Sequence, residues 1–140
     1  LLANTIIYCL FHTKEKIIAS MAEKYVLLID ESKFYDTLPL KDSVTLEVIP
    51  QSRNYVQAQI EKLGGKAVMR KSGAKADFVI SDNGNIMDTD FSNVATFAGK
   101  PEELHKKLKQ LTGVVETALF IDMVAFALCV CGDEVKVIEK

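Results

Sequence analysis

Cysteine is scarce in this chain and poorly spaced for chemistry. The 140 residues hold three, Cys9, Cys129 and Cys131. The count is odd and the only close pair is a C-x-C. A disulfide framework calls for even numbers in a secreted chain, and structural zinc calls for C-x2-C pairs. The three therefore read as reduced thiols that fill core space. Excess charge is also missing, since 17 Lys+Arg stand against 19 Asp+Glu for a net charge of −2. That argues against a dedicated nucleic-acid or anionic-membrane binder, which carries a basic surplus. No apolar run makes a convincing transmembrane helix, which takes roughly 18 residues. Ile6–Phe11 is far too short, and Ala118–Cys131 carries Asp122 within it and reads as buried strand. No basic stretch precedes Ile6, as a secretory signal requires. The motif inventory is equally thin: no G-x-G-x-x-G, no G-x4-G-K-[ST], no metal quartet and no nucleophile elbow.

What remains is a globular composition, 49% hydrophobic and 26% charged. A chain of this length buries enough apolar surface to fold without staples, with a prior of about one domain. Thr13 is placed to cap a helix over Lys14–Ala22, with Ile17, Ile18 and Met21 on one apolar face. Tyr25–Ile29 is a short apolar run of the kind buried on both faces of a parallel sheet. Asp30-Glu31-Ser32-Lys33 is then a polar tip at that strand's carboxyl end, where ligands sit in open α/β sheets. Residues 34–43 contain Pro39 and mark a boundary.

Val44–Ile49 reads as a strand stopped by Pro50. Gln51–Leu63 reads as a helix, with Val56, Ile60 and Leu63 on one stripe and Gly64-Gly65 as its stop. Lys66–Arg70 is a short strand. Phe78–Ser81 and Ile86–Phe91 flank an Asn83-Gly84 hairpin signal. Pro101 opens a helix striped by Leu104, Leu108 and Leu111 and ended by Gly113. Strands follow at Val114–Phe120, Met123–Val130 and Val135–Ile138. With one extra hairpin strand set aside, 44–120 has the order of a split βαβ, ferredoxin-like unit. The fold class is thus α/β and α+β. Residues 1–43 are a remnant of a Rossmann-like domain (1–12 atypical), 44–120 a ferredoxin-like domain, and 121–140 strands returning to the first.

Single residues carry little chemistry by themselves. Glu15 in a first helical turn serves the helix dipole, Lys33 in a loop is ordinarily solvated, and His105 lies on a charged helix face and reads as a surface histidine. Their context is more telling. Thr13-Lys14-Glu15-Lys16-Ile17-Ile18-Ala19-Ser20 leads to Asp30-Glu31-Ser32-Lys33. Glu47-Val48-Ile49-Pro50, Lys62-Leu63-Gly64-Gly65, Asp82-Asn83-Gly84-Asn85 with Asp88, and Gly113-Val114-Val115-Glu116 with Leu119-Phe120 follow in order. From about Thr13 to the C-terminus, this series resembles ribose-5-phosphate isomerase of the A type.

The resemblance implies an aldose–ketose isomerase of the pentose phosphate pathway, cytoplasmic and homo-oligomeric. It implies a sugar phosphate substrate, no cofactor and no metal. It assigns Glu15 as general base and Lys33 as a substrate contact. The residue types suit the reaction. One carboxylate facing C1 and C2 can shuttle the proton, and an ammonium with helix amides stabilises the cis-enediolate. Two family features are absent: the phosphate loop with an acidic stretch upstream, and a glycine loop just before Thr13. Ile6–His12 stands where that glycine loop belongs. Glycines there let backbone N–H groups approach an anion, and bulky Ile, Tyr and Phe do not replace them. The expectation is a truncated or mis-joined chain, inactive alone, whose exposed apolar faces drive dimerisation or aggregation. The alternative is a non-catalytic ferredoxin-like binding or assembly module. RNA binding is disfavoured by a pI near 5.7 and by the single aromatic of Phe78–Ser81.

Overall fold

The computed structural model describes residues 4–6, 12–33, 43–72, 77–81 and 83–139. Cys9, Asp82, Pro39 and most of the boundary segment lie outside these residues. The main body is a wholly antiparallel four-stranded sheet. Its strands are β3 (Val44–Val48), β4 (Lys66–Met69), β7 (Asn85–Asp90) and β8 (Val114–Thr117), in the order β4-β7-β3-β8. Two helices, α2 (Arg53–Lys62) and α3 (Pro101–Lys109), connect and cover these strands. This is the order a split βαβ requires. The core lies between sheet and helices, built on Leu46, Val48, Ile60, Met87, Leu104 and Leu108, all without exposure.

A short hairpin of β5 (Lys71–Ser72) and β6 (Asp77–Phe78) is inserted between β4 and β7. The turn before β7 closes with the Ser81 N–H donating to the Gly84 carbonyl at 2.8 Å. Asn83-Gly84 does form a tight turn, but Gly84 has no positive φ. Glycine is required there by proximity: a Cβ would lie 2.1 Å from the Val48 carbonyl oxygen. At Gly113 both reasons hold, because φ is 95° and a Cβ would collide with Ser52 at 2.2 Å.

A second sheet of three strands has the order β11-β10-β2. It comprises β2 (Val26–Asp30), β10 (Phe126–Cys131) and β11 (Glu134–Glu139). β2 runs parallel to β10, as the apolar run suggested, and β11 returns as a hairpin through Gly132. The expected burial on both faces fails. Leu28 is 79% exposed, and Val137, which flanks the same Leu128 from the other side, is also exposed. Ala127 and Cys129 face inward, while the opposite face has no covering layer among the described residues.

The apolar stretch 118–131 is not one strand. It breaks at Asp122 (φ 60°), a residue type that tolerates the left-handed region. β9 (Leu119–Ile121) lies before the break and β10 after it. β9 pairs antiparallel with β1 (Asn4–Ile6), so the strand expected over Val114–Phe120 leaves one sheet at Ala118 and enters another. α1 spans His12–Met21. Its Ile17, Ile18 and Met21 do share a face, and that face is open to solvent.

Candidate active site

Helix α1 begins at His12, one residue ahead of the expected cap. Thr13 therefore lies inside the helix, and its hydroxyl donates to a carboxylate of the sheet, Glu47 Oε2. Glu47 is the most enclosed acid among the described residues, at 2% exposure. The Ser81 hydroxyl donates to its Oε1. The Asn83 backbone N–H adds 3.1 Å to Oε1, and the Asn83 side-chain amide 3.3 Å to Oε2. Four neutral donors thus converge on one buried carboxylate.

Glu116 is Glu47's Cα partner across the β3–β8 pairing. It takes a different set of partners. Lys16 Nζ donates to its Oε1 at 2.9 Å and to the Thr117 carbonyl at 2.8 Å. Lys109 Nζ reaches Oε2 at 3.1 Å. Burial pushes the Glu116 carboxyl up, but hydrogen bonds from Lys16 and Thr117 N–H and the charges of Lys16 and Lys109 outweigh it. The net direction is down. The Lys16 ammonium is lowered by burial, only partly offset by Glu116, and lies 5.1 Å from the Phe120 ring centroid. Two cations, Lys16 and Lys109, thus hold Glu116 as a carboxylate. His12 is fully buried, with Nε2 3.4 Å from the Glu116 carbonyl oxygen.

Glu15 sits among these anchored residues and differs from them. Its Oε2 is buried and has no hydrogen-bond partner among the described residues. Its charge is felt by Tyr25, whose phenol is raised chiefly by burial and secondarily by Glu15. Tyr25 in turn stacks on Phe120 with centroids 6.0 Å apart. An acceptor enclosed by protein and left unpaired costs free energy, about 1–3 kcal/mol for a typical buried group.

Lys33 ends the short 3-10 turn Glu31–Lys33 at the carboxyl end of β2. It is exposed and pairs with Asp30 Oδ2 at 3.1 Å, a surface contact of little energy. Glu15 lies in the first turn of α1 and Lys33 at the end of the strand that follows. They share no hydrogen bond or ion pair.

His105 departs from expectation. It is half-buried, with Nδ1 2.8 Å from Thr117 Oγ1, because α3 packs against β8. Burial lowers its imidazole, Lys16 and Lys109 lower it further, and Glu116 opposes them. The Cys129 and Cys131 thiols share a hydrogen bond at 3.6 Å and form no disulfide. Burial and the neighbouring thiol raise Cys129, as suits a core filler. Asp88 forms a two-pronged pair with Arg70 that also includes the Thr45 hydroxyl. No cluster of three or more His, Cys, Asp or Glu suited to a metal ion occurs among the described residues. No helix among them is long and apolar enough to cross a membrane.

Sequence reasoning missed Glu47, Glu116, Lys16, Ser81 and Asn83 as members of a site. The one available signal was the alternation Val44-Thr45-Leu46-Glu47-Val48, which marks a polar strand face without saying what covers it.

Residues 9–134 match the family model for ribose 5-phosphate isomerase A (phosphoriboisomerase A). The chain is 40% identical over 111 residues to ribose-5-phosphate isomerase A of Trichodesmium erythraeum, covering 79% of this chain and 45% of that protein. It is 39% identical over 132 residues to ribose-5-phosphate isomerase of Meyerozyma guilliermondii, covering 90% and 50%. The structure of ribose 5-phosphate isomerase A from Methanocaldococcus jannaschii superposes with a TM-score of 0.84 at 34% identity, covering 98% of this chain and 59% of that one. A D-ribose-5-phosphate isomerase in complex with phospho-erythronic acid superposes equally, TM-score 0.84, at 32% identity, covering 98% and 59%. The chain spans about half the length of the curated relatives it matches.

Proposed function

The chain belongs to the ribose 5-phosphate isomerase A family, and from that premise we propose that it carries the proton-transferring part of an aldose–ketose isomerase interconverting ribose 5-phosphate and ribulose 5-phosphate. The observation that carries this reading is the enclosed, unpartnered Oε2 of Glu15. Glu15 takes the C2 proton of the open-chain aldose. The C–H electron pair becomes the C1=C2 bond, and the carbonyl pair moves onto O1 as a cis-enediolate. Glu15 returns the proton to C1, while the hydroxyl proton passes from O2 to O1, leaving the C2 ketone. Lys33, at the polar tip of β2, contributes positive charge toward the substrate anion, as does the amino end of α1. The two sheets support a division into a ferredoxin-like unit over 44–120, with 1–43 and 121–140 as parts of an α/β unit. The unpaired thiols Cys129 and Cys131 suit a reducing cytoplasm.

From the resemblance, the phosphate loop is expected in the part of the relatives that this chain does not span. The test therefore assays the chain on ribose 5-phosphate alone and together with that part of the Trichodesmium relative. Little turnover is expected alone. The pair should turn over, and Glu15→Gln should lower its kcat on the order of 100-fold or more, as loss of a general base does. Turnover by the pair that survives Glu15→Gln, or no turnover by the pair, overturns the assignment.

A second reading, a non-catalytic assembly module and homo-oligomer partner, is favoured by the exposed apolar row Leu28, Val130, Val135 and Val137. Co-purification with a full-length isomerase, lost on Leu28→Lys, supports it. Undiminished co-purification of that variant counts against it.

A further inference from the structure

Three of the first five residues of α1 are tied to the four-stranded sheet. Thr13 goes to Glu47, Lys16 to Glu116 and the Thr117 carbonyl, and His12 Nε2 stands near the Glu116 carbonyl. Thr13 and Lys16 are three apart, so their Cβ atoms lie about 5–6 Å from each other on one helix face. Glu47 and Glu116 are directly opposite on adjacent antiparallel strands, which sets their Cβ atoms about 4.5–5.5 Å apart. One rung of the helix thus matches one rung of the sheet. At about 100° per residue, Glu15 falls on the flank of this docked stripe, and its Oε2 is the atom left without a bond.

Two like charges opposite one another on a sheet repel, so this pair costs something that packing alone does not require. The arrangement meets the cost with separate partner sets. Glu116 is held by two lysines, from α1 and α3. Glu47 has hydroxyl and amide donors instead, drawn from α1 and from the turn before β7. The Glu47 side therefore fixes α1 through one directional bond from Thr13, and the Glu116 side fixes it through charge.

We propose that Glu47 and Glu116 are positioning residues, a cross-strand carboxylate clamp that grips α1 at Thr13 and Lys16 and thereby holds the Glu15 carboxylate in place for proton transfer. The proposal rests on the reading of Glu15 as the base only in its last step. The docking itself is independent of that reading.

Glu47→Gln is a poor probe, because it leaves two buried donors facing an amide and threatens the fold. Thr13→Val, Glu116→Gln and their double variant are better, with Thr13→Ser as the conservative control. The measurement is residual dipolar couplings of backbone amides in the chain itself, comparing α1 with β3, β7 and β8. In the wild type one alignment tensor should fit both. In Thr13→Val and Glu116→Gln the sheet couplings should stay within error while those of α1 depart, most in the double variant. The Glu15 side-chain carboxyl 13C resonance should move with them. Thr13→Ser should restore both. A double variant whose α1 couplings still fit the sheet tensor overturns the clamp. An α1 that moves while the Glu15 resonance stays put overturns the link to Glu15. If the couplings behave as expected but Glu15→Gln leaves turnover intact, the clamp stands and the base assignment falls.

Discussion

The two sheets are built from similar apolar strands but lie in different surroundings. Val44–Val48 of β3 is buried at every position, because α2 and α3 cover one face and α1 crosses the other. Val26–Asp30 of β2 is partly exposed throughout and fully open at Leu28. β11 is exposed at five of its six residues. A parallel pair such as β2–β10 ordinarily lies within a layered α/β sheet with both faces covered. An antiparallel sheet manages with one. The difference teaches where stability resides. The four-stranded sheet contains its own core, whereas the three-stranded sheet presents an apolar row for which the described residues supply no cover.

Large-to-small substitutions give the largest contrast. Leu46→Ala removes side-chain atoms from a site with no exposure and should cost about 2–5 kcal/mol. Leu28→Ala, on the open face, should stay within about 0.5 kcal/mol. Urea denaturation of the two variants checks this. Equal losses would mean that Leu28 is covered in solution, and the comparison between sheets would collapse.

Glycines offer an intermediate test. Gly84→Ala drives a methyl group to 2.1 Å from the Val48 carbonyl, where only backbone can yield. A cost of about 1–3 kcal/mol is expected, in the range of overpacking. Gly132, in the β10–β11 turn, has nothing within 4 Å and only its φ of 62° to object with. Gly132→Ala should cost about 1–2 kcal/mol, the left-handed penalty of one residue. Thermal melts rank the pair. A more damaging Gly132→Ala would show the hairpin to be the less tolerant region.

The element order was legible in the sequence because local signals mark it. Pro50 and Pro101 open helices, Gly64 closes α2, and Asn83-Gly84 turns the chain; Gly113, expected to end α3, instead lies in the turn before β8, since α3 already stops at Lys109. What could not be read is which faces are covered. Val-Thr-Leu-Glu-Val alternates in the same way whether its polar face meets water or a helix. Here the answer depends on Thr13, 34 residues upstream of Glu47. Ile17, Ile18 and Met21 pose the converse problem, a well-formed apolar stripe that meets no partner among the described residues. Glu15 and Lys33 stand out only through the order of surrounding segments, since nothing in an early-turn glutamate or a loop lysine distinguishes it locally.

The smallest expected effect lies under the closed sheet. His105 on α3 faces Thr117 and Glu116 of β8, Lys16 of α1 and Lys109 of its own helix. Its imidazole titrates below the ordinary 6.5, first through burial and then through Lys16. In the interval below 6.5 the unfolded chain therefore binds the proton more readily than the folded one. Stability falls as pH drops through that value and is unaffected above it. Glu116 acts in a separate window. Its lowered carboxyl adds stability above the ordinary 4.5, which is lost as pH falls below. Urea midpoints at pH 7.5 and 5.5 should thus differ in the wild type, the lower pH being less stable. His105→Gln should shrink that difference while leaving the further loss below pH 4.5. If His105→Gln keeps the whole 7.5-to-5.5 difference, the imidazole is solvated after all, and the cover over this part of β8 is looser than its hydrogen bonds indicate.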